Sequence, residues 1–287
     1  MGYVLVAQLI QMRQRIKAVE TIKKITHAMR LISMSTHTRL RGKQEPLKEY
    51  QNAISTLFQK VKTATPAWNS SVLYPEQKIS DKNLLILVGS QKGLCGNFNS
   101  ALFRLFERTI TPEQLPEMHI IAIGKKVVNF IKKGSTEKIV ALYPEFTSAT
   151  MPTIVHSLVD LIMSSTEPFT SVTFFSNKLK TFFTQKPHES ILIPFEAKKQ
   201  EKKANKLDLM WEHTPHEVLD ILALQALEVT IQHLLFESLL AEQAARFISM
   251  DSSTRNAEKI LEETILWYNK LRQAKITREL TELTGSF

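Results

Sequence analysis

The first part of the chain carries apolar residues at helical spacing. Between residues 4 and 41 there is neither glycine nor proline, and apolar side chains recur in steps of three and four. They are Ile16, Val19, Ile22, Ile25, Met29 and Ile32. Such spacing predicts an amphipathic helix. Gly42 and Pro46 are candidate bends, after which the helical pattern resumes until Pro66. We therefore expect an amino-terminal helical segment over residues 4–64.

The pattern changes its period in residues 65–206. Five short apolar runs are typical of buried strands, namely NLLILVG, MHIIAIG, KIVALYP, SVTFF and SILIPF. Helical patterns lie between several of them, in NSALFRLFERTI, KKVVNFIKK and TIVHSLVDLIMSS. Strands and helices that alternate in this way favour a mostly parallel sheet covered by helices.

A second long helix is predicted within the last segment, residues 207–287. Thr214 is a suitable N-cap before Pro215, no glycine or proline follows until Gly285, and Gly285 is a plausible stop. A strict three-four alternation runs through Leu224, Leu227, Ile231, Leu234, Ser238, Ala241, Ala245 and Ile248. This is a coiled-coil seam, and it needs a partner helix.

The amino-terminal helix is the partner of comparable length within the chain. The predicted fold is therefore α/β, with a long antiparallel two-helix coiled coil of the terminal helices plus a Rossmann-like α/β domain between them. The seam is poor in bulky side chains from Ser238 onward. Small residues there would let two backbones approach closely.

Composition narrows the class of protein. The chain has 287 residues and a single cysteine, Cys95, which excludes an internal disulfide and a cysteine-based zinc site. No apolar run approaches the roughly 20 residues that span a bilayer. The opening YVLVAQLI lacks the preceding basic residues of a signal peptide. We expect a soluble intracellular protein with no direct membrane span.

Charge is distributed unevenly between the two ends. Residues 1–62 contain twelve basic and three acidic residues, whereas residues 212–287 contain seven basic and twelve acidic ones. The two arms could bind separate partners or lie against each other. A basic coiled-coil module that binds nucleic acid is an alternative for so basic a chain. However, the basic arm has almost no aromatic side chains on which bases could stack.

The sequence contains few residues in arrangements suited to catalysis or to binding a metal or cofactor. GSQKGLCG, residues 89–96, follows a predicted strand, but Lys92 precedes Gly93 and no hydroxyl follows the lysine as a phosphate loop requires. An independent α/β enzyme would need clustered titratable groups, and the sequence shows no such cluster. The eight histidines are scattered. We expect no catalytic residue, no metal and no cofactor on this chain.

Three separated motifs carry a resemblance. RQRIKAVETIKKITHAM at residues 13–29 is similar to RxRIxSVxxTxKITxAM, and KGLCGNFNSAL at residues 92–102 is similar to GLCGxxNxxL. AEQAARFISMDSSTRNAEKILEETILWYNKLRQAKITRELTEL at residues 241–283 is similar to SEQAARMxAMxxATxNA followed by YNxxRQAxITxEL. These are the motifs of the gamma subunit of F-type ATP synthases, in the same order along the chain.

The resemblance implies a rotating central stalk. Its paired helices would sit in the bore of a hexamer of alpha and beta subunits, and its α/β domain would sit on the membrane rotor ring beside the epsilon subunit. Rotation would couple ion flow through the membrane sector to ATP synthesis or hydrolysis on the hexamer, so this chain would be a non-catalytic subunit that binds no nucleic acid. It would lie peripherally on the cytoplasmic face of the inner (plasma) membrane. A rotor of an F-like ATPase adapted to another task is the alternative within the family.

The resemblance also assigns candidate contact residues. Six positions match family residues that contact the hexamer: Lys24, Met29, Arg246, Arg272, Gln273 and Thr277. Asp208, Trp211 and Glu212 match the foot region that faces the ring and epsilon, although Trp211 could equally pack against the sheet. The chain departs from the family pattern after Met29, where bulkier residues occur at Leu31, Ile32, Met34 and His37 and a glycine occurs at position 42.

Overall fold

A computed structural model describes residues 2–70, 72–74, 82–111, 118–134, 138–165, 168–195 and 214–284. Within these ranges there are five helices and five strands. The helices are α1 (Gly2–Ala64), α2 (Phe98–Thr109), α3 (Lys125–Ile131), α4 (Met151–Met163) and α5 (Pro215–Thr284). The strands are β1 (Asn83–Val88), β2 (Met118–Ile123), β3 (Ile139–Tyr143), β4 (Ser171–Thr181) and β5 (Thr184–Ile193).

The two terminal helices are very long. α1 has 63 residues and continues through Gly42 and Pro46, where the sequence suggested bends. α5 has 70 residues and begins at Pro215, as predicted. Thr214 and Glu217 form a capping box, since the Glu217 amide donates to Thr214 Oγ1 and the Thr214 amide donates to Glu217 Oε2.

The sheet has the strand order β3-β2-β1-β4-β5. The first four strands are parallel, as the alternating pattern predicted, and β4 and β5 form an antiparallel hairpin at one edge. The hairpin strands extend through SNKLKT and TQKPHE, which are polar stretches without a clear apolar period. The sequence-based strands SVTFF and SILIPF therefore cover only the part of the hairpin that enters the core.

Apolar layers cover both faces of the sheet. α2 and α3 pack on one face through residues such as Leu102, Phe106 and Val127. On the other face, α4 and parts of α1 and α5 form one larger core, which includes Phe58 and Leu235. Side chains that alternate along each strand supply the two layers, as expected for a sheet buried on both sides.

The described chain divides into two compact units. Unit 1 comprises Met1–Ser35 and Arg246–Phe287, and unit 2 comprises Thr36–Ala245. Unit 2 contains the sheet, and within it no residue of α5 from Gln225 to Ala245 is exposed. Leu224 is an exception to the predicted seam, since 39% of its surface is exposed.

α5 contains a stretch with the length and composition of a membrane span. An 18-residue stretch of α5 is apolar and long enough to cross a bilayer by length and composition, which the sequence analysis did not anticipate. Half of that stretch is buried inside the protein. Core helices of folded proteins pass the same test of length and composition, and α5 shares a core with α4 and part of α1.

Candidate coupling surface on the paired terminal helices

Within unit 1, buried and half-buried positions alternate along both helices in steps of three and four. On α1 they are Leu9, Met12, Ile16, Val19, Lys23, Thr26, Arg30 and Ser33. On α5 they are Met250, Thr254, Ala257, Leu261, Thr264, Tyr268, Leu271 and Lys275. Both series keep the heptad spacing of a coiled coil. The predicted antiparallel pair of terminal helices is thus present in this unit.

Polar contacts fix the register of this pair. Arg13 Nε donates to Tyr268 Oη at 2.8 Å, and Lys23 Nζ lies 3.1 Å from Glu258 Oε1. Thr254 Oγ1 lies 2.9 Å from Thr26 Oγ1, and Arg30 Nη1 lies 2.7 Å from Asp251 Oδ1. The residue numbers of each pair sum to nearly the same value, so the register is constant along the unit. In unit 1 the basic and acidic arms therefore lie against each other.

Asp251 has the densest set of charged contacts in this seam. Besides Arg30, its second oxygen Oδ2 lies 2.8 Å from Arg255 Nη2 on the same helix. The hydrogen bond from Arg30 holds the pKa of Asp251 below its usual value, against the opposing effect of burial and with help from the charges of Arg255 and Arg30. The carboxylate is therefore stabilised in its charged form.

The predicted apolar stripe of α1 is wrong for three of its members. Ile22, Ile25 and Ile32 point outward and are 52%, 54% and 59% exposed. In the same turns of α1, polar residues occupy the seam between the two helices. Lys23, Thr26 and Arg30 each contact a polar side chain of α5. The sequence contains a signal for this arrangement. Basic residues of α1 and acidic residues of α5 occur at positions whose numbers sum to nearly the same value.

Exposed apolar side chains are concentrated on unit 1. Of the twenty large apolar residues exposed in the described part of the chain, twelve belong to this unit. They are Ile10, Ile22, Ile25, Leu31, Ile32 and Met34 on α1, and Ile260, Ile265, Leu266, Trp267, Ile276 and Leu280 on α5. These side chains make unit 1 the candidate contact surface for another molecule.

A groove between the two helices interrupts this surface. It has a volume of about 350 Å³ and is lined by Met12, Arg15, Ile260, Glu263, Thr264 and Trp267. Trp267 is 61% exposed at its edge. The groove combines apolar walls with one charge of each sign.

Five of the six predicted hexamer contacts have some exposed surface. Lys24 is exposed and Met29 is half-buried on α1, while Arg272, Gln273 and Thr277 are exposed on the last turns of α5. The last three share their side of the helix with Ile276 and Leu280. Arg246 differs, since only 4% of its surface is exposed. The predicted foot residues Asp208, Trp211 and Glu212 lie outside the described residues.

The glycine-rich loop after β1 packs against α5. Cys95 and Phe98 form a small apolar cluster with Ala241 and Ala245, so the small residues of α5 accommodate this loop. Gly124, at the end of β2, has a φ of +92°, and a Cβ there would lie 2.3 Å from the Gly89 carbonyl oxygen. The turns that follow β1 and β2 therefore approach each other closely at Gly89 and Gly124.

Side chains complete the interior of this loop. Asn99 accepts a hydrogen bond from the Ser90 amide at 3.0 Å and donates to Ser90 Oγ at 2.8 Å. Cys95 is 3% exposed and also lies within this network, 3.2 Å from Asn99 Nδ2. The loop is therefore a tight strand-to-helix turn with a buried cysteine.

Known proteins resemble the chain over nearly its whole length. A family model described as ATP synthase matches residues 8–287. The ATP synthase gamma chain of Clostridium acetobutylicum is 30% identical, with 97% of each chain covered. That of Polynucleobacter asymbioticus is 26% identical, with 96% of each covered.

Solved structures share the fold. The central stalk and c-ring structure of the Tetrahymena thermophila mitochondrial ATP synthase includes a chain that matches with a TM-score of 0.58 and 17% identity, covering 79% of this chain and 98% of that one. A rotor chain of the Euglena gracilis mitochondrial ATP synthase matches with a TM-score of 0.52 and 17% identity, covering 84% and 99%.

A paired set of terminal helices, a Rossmann-like sheet unit and these relatives together define a subunit of a rotary ATP synthase. Within that class, the chain belongs to the ATP synthase gamma chain family.

Proposed function

We propose that this chain, as the central-stalk rotor subunit of an ATP synthase, turns inside a hexamer of alpha and beta subunits. By this rotation it couples ion flow through the membrane sector to ATP synthesis or hydrolysis. The observation that carries the proposal is the surface of unit 1. Its helices are held together by polar contacts while large apolar side chains face outward, as expected for a shaft that other subunits surround.

The cross-helix contacts give the shaft its mechanical role. Each of the pairs Arg13–Tyr268, Lys23–Glu258 and Arg30–Asp251 joins α1 to α5. Torque applied to one helix is therefore passed to the other without a slip in register. The two helices present different outer residues, so the shaft is asymmetric and would press on each beta subunit in turn.

The contacts with the hexamer would involve Lys24 and Met29 on α1 and Arg272, Gln273 and Thr277 on α5. A guanidinium at position 272 can bind a carboxylate of a beta subunit through two charge-assisted hydrogen bonds. Arg246 is assigned to the same interface by its match to the family motif. Because it is buried, a partner would reach only a small part of its surface.

The chemistry of ATP would take place on the hexamer, so this chain would be non-catalytic. Asp208, Trp211 and Glu212 would face the membrane rotor ring and the epsilon subunit. The chain would then lie on the cytoplasmic face of the inner (plasma) membrane.

The first experiment is co-expression of the chain with alpha and beta subunits from the same source. We expect size-exclusion chromatography to yield a complex of three alpha, three beta and one copy of this chain that hydrolyses ATP. A truncated chain that lacks residues 246–287 removes the α5 half of unit 1 and should give no active complex.

Two results would contradict the proposal. In the first, the chain elutes alone and does not change the ATPase rate. In the second, the truncated chain supports full activity. If the chain elutes alone but binds nucleic acid with an affinity that falls steeply with salt, the nucleic-acid alternative is supported instead. ATP-driven ion pumping by the complete enzyme would test coupling to the membrane sector.

A further inference from the structure

The tip of the β4–β5 hairpin rests on a buried histidine of α1. His37 is only 3% exposed, and its ring meets that of Phe182 edge-on, with centroids 4.9 Å apart and planes at 85°. Phe182 and Phe183 form the turn between the two strands, and Phe183 is 77% exposed. An edge-on aromatic contact thus lies between the hairpin tip and the helix.

The surroundings of this contact favour a neutral imidazole. The pKa of His37 is lowered by burial and, to a smaller extent, by the positive charge of Arg41 one turn later on α1. His37 Nε2 is also buried, with no hydrogen-bond partner among the described residues. A second ring proton would therefore add a charge to an apolar contact.

The same hairpin has a second contact with α5 that behaves differently. Glu237 on α5 interacts with Lys178 of β4, His188 of β5 and His233 of its own helix, whose Nε2 lies 3.5 Å from Glu237 Oε1. Burial on its own would raise the pKa of Glu237, but the hydrogen bond from His233 and the nearby positive charges lower it overall. This carboxylate therefore stays charged at mildly acidic pH.

Other charged groups of the hairpin and α5 do not reverse the lowering of the His37 pKa. Partial burial and Lys178 lower the pKa of His188 overall, against the opposing charges of Glu237 and Glu189. Lys180 of β4 is exposed close to the tip, and Glu242 is a second buried carboxylate of α5. Carboxylates favour a charged imidazole, yet burial and Arg41 still prevail at His37.

We propose that the hairpin tip is an acid-released contact, in which protonation of His37 detaches Phe182 from α1 while the rest of the hairpin stays on α5. It is a conformational device of unit 2, and it does not depend on the proposed rotor function. The exposed Phe183 would move together with the released tip.

The direction of the pH effect follows from linkage. A histidine whose pKa is lowered in the docked state takes up a proton more readily when it is undocked. Docking is therefore fully stable above pH 6.5, the ordinary value. It weakens as the pH falls below 6.5, by at most about tenfold per pH unit for one proton.

Hydrogen exchange on the full chain tests this inference. Exchange of the tip amides at residues 179–185 would be followed by mass spectrometry at pH 7.5, 6.5 and 5.5, with correction for the intrinsic pH dependence of exchange. We expect tip protection to fall by up to about tenfold between pH 6.5 and 5.5. The amides of β1 should keep their protection.

Two variants separate His37 from the other histidines. H37M places an apolar side chain of suitable size in the buried site and should abolish the acid effect. H156Q is the matched control, since His156 on α4 is 75% exposed, and it should retain the effect. If the tip of the wild-type chain keeps its protection at pH 5.5, or if H37M still loses it, the proposal is overturned.

A direct titration covers the case in which H37M does not fold. The imidazole signals of the wild-type chain would be followed by NMR, with H37Q used for assignment. A midpoint below 6.5 for His37, together with loss of tip protection over the same range, supports the proposal. A midpoint above 6.5 contradicts it.

Discussion

At the scale of single residues, Asp251 is the charged group of unit 1 whose substitution we expect to lower stability most. Its carboxylate receives hydrogen bonds from Arg30 at 2.7 Å and from Arg255 at 2.8 Å, and its side chain is 21% exposed. Asp251→Asn keeps the shape but removes the charge. We expect a loss of about 1–2 kcal/mol in the free energy of unfolding, measured by urea or thermal denaturation.

The pH dependence gives this prediction a second readout. Because the pKa of Asp251 is lowered in the folded chain, its contribution is present above the ordinary value of 3.8 and is lost as the pH falls through the folded-state pKa. The variant should therefore be less sensitive to acid in that range. Glu258→Gln is the matched control, because the Lys23–Glu258 pair is more exposed and is worth roughly 0.2–1 kcal/mol. Equal effects of both substitutions would contradict this ranking.

At the scale of elements, Gly42 lowers the stability of α1. It lies inside the helix, and a Cβ there would meet no atom within 4 Å. Gly42→Ala should raise the free energy of unfolding by about 0.5–1 kcal/mol, because alanine has less conformational freedom to lose on folding. Thermal unfolding followed by circular dichroism measures this.

Gly124→Ala is the opposite case and serves as the comparison. The backbone has a positive φ at this position, and a Cβ would collide with the carbonyl of Gly89. We expect clear destabilisation. A stabilised Gly124→Ala, or a destabilised Gly42→Ala, would show that these backbone conformations differ from the ones described.

The contact between α5 and the glycine-rich loop gives another prediction for an element. Ala241 is fully buried against Cys95 and Phe98. Ala241→Leu would overpack this contact and should cost about 1–3 kcal/mol of stability. Ala274→Leu on the same helix is the control, since Ala274 is exposed, and it should change stability by less than about 0.5 kcal/mol. A tolerated leucine at position 241 would mean that the loop can move away.

At the scale of the whole molecule, we expect some substitutions to lower the activity of the assembled complex without changing the stability of this chain. Arg272 is exposed and has no role in the seam of unit 1. In the assembled complex, Arg272→Ala should lower ATPase activity or ion pumping severalfold while the unfolding of the isolated chain stays unchanged. Arg108→Ala on α2, also exposed, is the control and should leave both unchanged. Parallel losses of stability and activity would instead assign Arg272 a structural role.

The sequence predicted most elements of the fold correctly. The start of α5 at Pro215, the order of strands and helices and the long antiparallel pair all follow from local period and capping residues. The polar outer part of the β4–β5 hairpin was not predicted, because SNKLKT and TQKPHE have no apolar alternation. Their strand conformation depends on pairing across the hairpin and on contacts with α5.

The candidate site was predicted less completely. The assignment of Lys24, Met29 and the residues near Arg272 to this surface comes from the motifs and stays a prediction. Spacing alone assigned Ile22, Ile25 and Ile32 to the wrong side of α1. Apolar periodicity cannot distinguish a stripe that packs within the chain from one that faces another molecule. Both stripes have the same helical spacing.

The helices, the apolar parts of the strands and the family that the motifs indicate can be predicted from the chain alone, because these depend on residues close together in the chain. The tertiary structure decided which face of each long helix is covered. On α1 that choice follows from partners more than two hundred positions away, where Asp251, Thr254 and Glu258 match Arg30, Thr26 and Lys23. Such complementarity exists only once the two helices are antiparallel in one register.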